Sequence, residues 1–378
     1  MHKTSSTMVA IVLVLLSLGI VMLASTSTVK GSTSFGDPHY FLKRQLIWLF
    51  VSLVVAVVLS RFDYHWWHKS AMPLAVVAVL LLAMVFVPGI GLKVGGSHRW
   101  LNLGPLSFQP SELAKFVSII AMSSWMATAG RRVRNFKEGF LYPIVGLGLI
   151  LGLTMLEPDF GTTLLIGLVS MLIMFAGGTK LSYLFASGLL GVCGFIIAIM
   201  RDPVRLIRVL SFLSPEQHAT GAYHLTQSKI AFELGGLFGK GLGNSLQKHL
   251  YLPEAHTDFI LAIIGEELGF IATLAVVLMF TGILVCGMII AFKAPDPFGR
   301  LLAFGITMMV VIQAVINVGV VTGCLPTKGL PLPFISYGGS SLLMATAGIA
   351  VLHNIARHSG DEPIDDHTRA IKDNAHVF

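Results

Sequence analysis

Long apolar segments are the feature that most constrains how this chain can fold. A helix needs about 20 apolar residues to cross the hydrocarbon core of a bilayer. Ten segments approach or reach that length: 8–28, 46–60, 71–90, 112–129, 140–156, 160–177, 181–200, 269–292, 299–323 and 335–356. They predict an all-α polytopic membrane protein with about ten transmembrane helices.

The composition supports a membrane protein and argues against two other classes. Charged residues make up 12% of the chain, against about 25% in soluble domains. The net charge is +7, but the basic residues are scattered among short loops, so no nucleic acid partner is expected. Cys193, Cys286 and Cys324 lie in or beside apolar runs at unrelated spacings. They predict neither a disulfide framework nor a zinc site.

The distribution of charge orients the predicted bundle. An even number of spans places both termini on one side, but Lys and Arg divide equally between the two sides. The densest short-loop cluster, at 131–137, favours cytoplasmic termini. The long loop between spans seven and eight, about 201–257, then lies outside. Residues 1–357 are predicted to form one transmembrane domain, and 358–378 a disordered cytoplasmic tail.

The predicted outer side carries most of the polar residues that could do chemistry. Pro110 suits the first turn of a helix, which puts Glu112 and Lys115 on one face at a spacing of three. A charged pair entering a membrane helix usually faces a cavity or a partner. Two interpretations remain open, a salt bridge that fixes helix packing and a part of a polar substrate cavity.

A second polar group lies where the long loop meets an apolar helix. Thr257 or Asp258 would cap that helix well, so Asp258 is either a cap or a functional carboxylate. Glu266 and Glu267 lie deeper, and intramembrane acids are candidates for function or for pairing with a cation.

A third group is the proline-rich loop at 325–341, followed by small residues that leave helix N–H groups free for an anion or allow close helix packing.

The segment 235–241 imitates a P-loop, but its spacing is one residue short, and Gly241 stands where Ser or Thr must hold magnesium. Nucleotide binding is therefore not expected.

Three strings together resemble the SEDS family of cell-wall glycosyltransferases. They are Gln-Pro-Ser-Glu-Leu-Ala-Lys (109–115), Glu-Ala-His-Thr-Asp-Phe (254–259) and Pro-Leu-Pro-Phe-Ile-Ser-Tyr-Gly-Gly-Ser-Ser (331–341). The similarity runs from the first span to about Arg357. The chain looks closest to the division-type branch, FtsW, because elongation-type relatives, RodA, commonly have Arg in place of Ala255 and lack Lys328. The turn at 157–160 differs from relatives that often have Gln first and Leu last.

The resemblance implies an inverting transferase that polymerises lipid II, a disaccharide-peptide on undecaprenyl pyrophosphate, at the outer face of the bacterial cytoplasmic membrane. It implies Asp258 as the general base. Substrate-binding roles fall on Arg44, Arg99, Glu112, Lys115, His256, Lys328 and Ser336. No dedicated metal site is predicted, although Mg or Mn could assist the leaving group. The implied partners are a class B penicillin-binding protein, other divisome membrane proteins and membrane lipid.

Other functions remain open at this point. An elongation-type polymerase is the near alternative. A lipid II transporter would need polar groups at several depths and often inverted repeats, and neither is evident. A non-catalytic scaffold for division proteins would tolerate the loss of Asp258.

Overall fold

The fold is a helical bundle that fits the size and composition of a polytopic membrane protein. The computed structural model describes residues 1–94, 97–103, 106–214, 219–248, 252, 254–327 and 329–361. Within these ranges, eight helices are long and apolar enough to cross a membrane, and two further apolar helices, Ala71–Met84 and Phe160–Ala176, are shorter. Every one of the ten predicted segments overlaps one of these helices. The predicted fold class is confirmed.

Most of the helices follow one another with short connections, and the longer connections precede α6, α12 and α14. In chain order they are α1 (His2–Thr26), α2 (Thr28–Phe35), α3 (Tyr40–Arg61), α4 (His65–Lys69), α5 (Ala71–Met84), α6 (Pro110–Ala129), α7 (Tyr142–Leu156), α8 (Phe160–Ala176), α9 (Leu181–Met200), α10 (Pro203–Leu213), α11 (Ala219–Gly235), α12 (Ile260–Lys293), α13 (Pro297–Val321) and α14 (Gly339–Asp361). A 3-10 turn (Gly130–Arg134) and a π turn (Lys137–Leu141) connect α6 to α7.

A small antiparallel sheet between α5 and α6 is an addition to the predicted all-helical bundle. Its strands are β1 (Gly91–Val94), β2 (Ser97–Leu103) and β3 (Leu106–Phe108), in that order. The sheet escaped sequence analysis because its strands are short and lie in a polar, glycine-rich loop. It brings Arg99, which lies on β2, to the end of the bundle where α6 begins.

The centre of the bundle is formed by α13, which packs against α6, α8, α12 and α14. The helices differ widely in burial. Of the 18 residues that form the apolar stretch of each helix, 78% are buried inside the protein in α14 and 6% in α9. In a bilayer, apolar side chains that face outward meet lipid tails rather than water. The lipid-facing character of α9 is therefore compatible with a stable fold.

The eighth predicted span and the long loop differ most from expectation. The helix α12 begins at Ile260, nine residues before the predicted start at 269. The prediction began too late because Glu266 and Glu267 lower the hydropathy of the first turns. In the structure both side chains are fully buried. Gly269 interrupts it with a φ of +80°. The loop predicted at 201–257 contains α10 and α11. The predicted disordered tail falls mainly on residues 362–378, outside the described residues.

The glycine-rich segment that imitated a P-loop packs against the break in α12. The amide of Phe270 donates to the carbonyl of Gly236 (2.9 Å), and the amide of Gly241 donates to the carbonyl of Glu267 (2.9 Å). A Cβ atom on Gly269 would lie 2.4 Å from the Gly239 nitrogen. The glycines are therefore needed for close backbone contact.

Candidate active site

Polar side chains gather at one end of the bundle, where six pieces of chain meet. These are the start of α3, the small sheet, the start of α6, the α7–α8 turn, the turn before α12 and the loop between α13 and α14. Consecutive helices run in opposite directions, so these non-adjacent segments share one end. The gathering agrees with the prediction that most of the chemistry lies on one side.

Asp258 lies in the turn that leads into α12 and is held through its backbone. Its carbonyl oxygen accepts a hydrogen bond from the Asn317 side-chain amide (2.8 Å), and the same amide donates to the carbonyl of Leu330 (2.8 Å). A Cβ atom on Gly329 would lie 2.9 Å from Asp258 Oδ2. The backbone at Gly329 thus passes directly beside the carboxylate. Asn317, which is buried near the C-terminal end of α13, therefore connects the Asp258 turn to the α13–α14 loop.

The interpretation of Asp258 as a helix cap is wrong. The N-cap of α12 is Phe259, and no side chain caps that end. In the part of the chain that the structure describes, no residue donates a hydrogen bond to the Asp258 carboxylate. This half-buried side chain is therefore available to a substrate hydroxyl.

The surroundings of Asp258 raise the pKa of its carboxyl group to about 7. Burial is the main cause because it disfavours the charged form, and the negative charge of Glu254 adds to it. Arg208 and Arg99 oppose the shift. A carboxyl group with a pKa near neutrality can both take and release a proton at physiological pH, which suits a general base.

Glu254 belongs to the same turn and was not predicted as a site residue. Its carboxylate pairs with Lys30 of α2 (3.0 Å) and accepts a hydrogen bond from the Thr257 hydroxyl (2.9 Å). Glu254 adopts a φ of +56°, and Phe334 in the facing loop adopts +67°. Non-glycine residues in this left-handed region carry strain that surrounding contacts must hold. Two such residues in facing segments mark the site.

Ser336 joins the Asp258 turn to the α13–α14 loop. Its hydroxyl donates to the carbonyl of Thr257 (2.6 Å) and accepts from the amide of Leu332 (2.8 Å). The amide of Tyr337 donates to the carbonyl of His256 (3.0 Å). The hydroxyl of Ser336 is thus occupied within the protein, and its contacts shape the site.

His256 and Arg44 border the site from the α3 side. The His256 ring is buried and lies 4.6 Å from the ring of Phe41. Burial and the charge of Lys30 lower the pKa of His256 to about 4, so it is neutral at physiological pH. The Arg44 guanidinium lies over the ring of Tyr40 at 4.9 Å and hydrogen-bonds the Tyr337 side chain. Arg44 therefore supplies a permanent positive charge, and His256 supplies none.

Arg99 and the α7–α8 turn form another border of the site, and the charge of Arg99 reaches Asp258. Arg99 donates to the backbone carbonyls of Glu157 (3.0 Å) and Pro158 (2.6 Å). Both carboxylate oxygens of Glu157 are buried and have no hydrogen-bond partner among the described residues. Burial and nearby Asp159 raise the pKa of Glu157 to about 8. Glu157 is therefore mostly neutral at pH 7. Asp159 caps α8 through the amide of Thr162 (3.2 Å).

Glu112 and Lys115 form the predicted pair on one face of α6. Their charged groups are 2.9 Å apart, and both side chains are buried. The Lys115 ammonium also donates to Gln313 of α13 (3.0 Å), and Gln313 donates to the carbonyl of Pro331 (2.8 Å). The pair therefore connects α6, through α13, to the loop that borders Asp258.

Lys328 lies outside the described residues, so its substrate-binding role stays a prediction. Within the described ranges, no group of three or more His, Cys, Asp or Glu side chains is placed to hold a metal ion. The small residues after the loop serve helix packing at Gly339, where a Cβ atom would lie 2.1 Å from the Trp48 indole nitrogen.

Comparison with known proteins agrees with this architecture. The family model of cell cycle proteins that covers FtsW, RodA and SpoVE matches residues 6–361. A protein of Trichlorobacter lovleyi, described as a probable peptidoglycan glycosyltransferase FtsW, is 46% identical over 346 residues, which are 91% of each chain. Stage V sporulation protein E of Bacillus subtilis is 38% identical over 93% of this chain and 96% of its own.

Solved structures give the same result. One similar chain comes from a peptidoglycan synthase complex that coordinates polymerization and crosslinking. It aligns with a TM-score of 0.76 and 27% identity, covering 94% of this chain and 98% of its own. The rod shape determining protein RodA of Thermus thermophilus aligns with a TM-score of 0.69 and 27% identity, over 94% and 97%. The chain described here therefore belongs to the FtsW, RodA and SpoVE family of cell cycle proteins, the family that its motifs predicted.

Proposed function

We propose that this membrane protein is a peptidoglycan glycosyltransferase that polymerises lipid II into glycan strands. The observation that carries the proposal is the half-buried carboxylate of Asp258, which has a pKa near 7 and lies within electrostatic reach of Arg99 and Arg208 at the polar end of the bundle. Relatives that align over nine-tenths of the chain bear the name peptidoglycan glycosyltransferase. The polar end suits a substrate with a lipid tail and a charged head group.

The proposed reaction is a single displacement with inversion. Asp258 takes the proton of the acceptor 4-hydroxyl as its oxygen attacks the anomeric carbon of the growing strand. The new glycosidic C–O bond forms while the bond from that carbon to the lipid pyrophosphate breaks, and the electron pair leaves with the pyrophosphate. Asp258 then releases its proton to solvent. The reaction needs no protein nucleophile.

The leaving pyrophosphate needs positive charge close to it. Arg99 lies close enough to Asp258 to lower its pKa. Arg44 hydrogen-bonds Tyr337, whose amide donates to the carbonyl of His256. These placements support a role for both arginines in holding the pyrophosphate. Lys328, in the proline-rich loop, is proposed for the same role. The proposed steps use these basic side chains. Mg or Mn bound together with the pyrophosphate could add positive charge to the leaving group.

The remaining predicted site residues are proposed to shape the site. Lys115 is already paired with Glu112 and Gln313, and the Ser336 hydroxyl already bridges two loops. His256 is neutral and packed against Phe41, so it offers a surface for the sugar or peptide and no charge for the pyrophosphate.

A role in septal wall synthesis during division is the finer part of the proposal. Its support is the similarity to FtsW proteins at 40–46% identity. The proposed partner is a class B penicillin-binding protein, because a similar chain works in a synthase complex that couples polymerization to crosslinking. We also propose that the protein contacts other divisome membrane proteins and lies at the septum in the bacterial inner membrane. We propose that it forms one transmembrane domain with cytoplasmic termini.

The direct test is glycan polymerisation from purified lipid II in detergent. Glycan strands formed by the purified protein, alone or with its transpeptidase, would support the polymerase. Movement of lipid II across liposomes without any glycan would support a transporter. A protein active in neither assay that still recruits division proteins would be a scaffold. Rescue of cells lacking the division enzyme, but not the elongation enzyme, would separate the two polymerase types.

The pKa of Asp258 predicts how the rate depends on pH. A general base must be unprotonated, so kcat/KM for lipid II, which reports the free protein, should fall as pH drops through about 7. Glu254→Gln removes an anion that raises this pKa, so the acidic limb should move to lower pH. The measurement is kcat/KM against pH for both proteins, with Glu233→Gln as an exposed control. A limb that does not respond to Glu254→Gln would contradict the assignment.

The orientation is tested by cysteine accessibility. The basic cluster at 131–137 favours a cytoplasmic position for the α6–α7 connection. In a cysteine-free background, a cysteine at exposed Phe238 should react with an impermeant reagent added outside intact cells, and one at Lys137 should react only after permeabilisation. Labelling in the reverse pattern would place Asp258 on the cytoplasmic side and rule out the proposed reaction there.

A further inference from the structure

A second polar cluster lies behind the Asp258 turn and has no part in the proposed chemistry. Glu266 and Glu267 stand in the first turns of α12, just before the break at Gly269, and neither side chain is exposed. Buried carboxylates are costly unless they are paired and hydrogen-bonded. The partners of these two come from the segment 245–248, from Ser25 at the end of α1 and from Lys240, whose ammonium lies 3.9 Å from the Glu266 carboxylate.

Lys248 completes one half of this cluster. Its ammonium group has three hydrogens to donate, and the structure supplies three acceptors: the carbonyl of Gly243 (2.5 Å), the Glu267 carboxylate (3.0 Å) and the hydroxyl of Ser25 (3.1 Å). The Ser25 hydroxyl in turn donates to Glu267 (2.7 Å). Lys248 is therefore fully satisfied and neutralises a fully buried acid.

Glu266 completes the other half by binding the backbone. It accepts hydrogen bonds from the amides of Leu246 (2.9 Å) and Gln247 (3.3 Å) and from the hydroxyl of Ser245. The amide of Ser245 itself points to Glu267 (3.4 Å). Outside helices and sheets, backbone amides need partners of this kind. The two acids thus determine the path of a segment that has no regular secondary structure.

This segment leads directly into the Asp258 turn. The carbonyl of Gln247 accepts the amide of Leu252 (2.9 Å), six residues before Asp258. On the far side, Lys30 of α2 holds Glu254 at 3.0 Å. Ser25 and Lys30 belong to the same corner between α1 and α2, so that corner contacts the chain at Lys248 and again at Glu254.

We propose that Glu266, Glu267 and Lys248 are positioning residues that hold residues 245–248, and through them the turn at 254–259, so that Asp258 meets the acceptor hydroxyl. The inference rests on the proposed role of Asp258 as the base. These three residues touch no substrate; they act by fixing where the chain enters the turn. A displacement of about 1 Å in a catalytic group can cost about 100-fold in rate. The expected effect of loosening the cluster is therefore on turnover.

The test compares Glu267→Gln, Lys248→Met and the milder Ser25→Ala with the wild type. We expect kcat for lipid II polymerisation to fall about 10- to 100-fold in the first two, with KM nearly unchanged, because the cations that would hold the pyrophosphate are untouched. The acidic limb of kcat/KM should also shift, since the environment of Asp258 changes. Ser25→Ala should give a smaller loss, and it keeps the proposal testable if the charge variants do not fold. Glu233→Gln, an exposed change on nearby α11, is the matched control.

Hydrogen–deuterium exchange gives a second readout that does not depend on activity. Amides of 252 and 254–259 should exchange faster in Glu267→Gln than in wild type, while those of α13 should not change. Faster exchange in Glu267→Gln, together with a wild type that forms no glycan, would support the cluster and reject the polymerase. Unchanged exchange together with unchanged kcat and pH profile per folded molecule would reduce the cluster to a purely structural role and overturn the proposal.

Discussion

The Asp258→Asn variant should insert and fold like the wild type and lose about two or more orders of magnitude in lipid II polymerisation. General-base catalysis contributes about 10²–10⁴-fold, and an amide cannot accept the proton. Asparagine has the same shape, and the backbone bond from Asn317 to the carbonyl of residue 258 does not depend on the side chain. The measurement is glycan formed per minute per folded protein, with stability followed by thermal unfolding.

The thermal stability of Asp258→Asn should be unchanged or slightly higher. Burial disfavours the charged carboxylate, as its raised pKa indicates, so a neutral amide removes a cost. The control is Asp37→Asn, which removes a partly exposed outer carboxylate that pairs with Lys43. Normal polymerisation by Asp258→Asn would reject the assignment of the base. Loss of activity together with loss of folded protein would indicate a structural role.

The second large effect is expected on stability, from the buried pair in α6. Removing one partner of a buried ion pair typically costs about 3–5 kcal/mol, because the other charge is left uncompensated. Lys115→Met should therefore lower the free energy of unfolding by about that amount, since both Glu112 and Lys115 are buried. Glu112→Gln should do the same. The measurement is the midpoint of thermal unfolding in detergent, with detergent and lipid held constant.

The double variant Glu112→Gln/Lys115→Met separates the two interpretations of this pair. It leaves no uncompensated charge, so most of the stability should return. If the pair only fixes packing between α6 and α13, polymerisation should return with stability. If Lys115 binds the substrate, the double variant should be stable and inactive. The contacts of Lys115 with Glu112 and Gln313 lead us to expect the first outcome.

Much of the site was predictable because its residues lie in short, dense strings. The polar strings at 109–115, 254–259 and 331–341 stand out against an apolar background, and alternating helix direction implies that they meet at one end. The roles within the strings were less predictable. Ser336 and His256 have side chains of the right chemistry for a substrate, yet one bridges two loops and the other is neutral and packed.

The residues that sequence analysis missed have partners far away in the chain. Glu254 pairs with Lys30 and Lys248 with Ser25, each across more than two hundred residues, and the nearer pair of Lys248 and Glu267, 19 residues apart, forms only because the loop before α12 folds back on that helix. Glu266 and Glu267 were recognised as candidates for pairing, but their partners were not. No local pattern encodes such pairs, since each depends on two distant segments arriving at one place.

The amino-acid sequence by itself determined the class of fold, the approximate position of each apolar helix and the family. Apolar length and the need to satisfy every backbone group in lipid leave a helical bundle as the solution for such segments. Only the tertiary structure decided that α12 begins at Ile260 and breaks at Gly269, and that Asp258 caps no helix. The physical reason is that burial and pairing change the cost of a charge. Glu266 and Glu267 look too polar for a span when read in sequence, but they are stable there because Lys248 and the amides of 245–247 reach them.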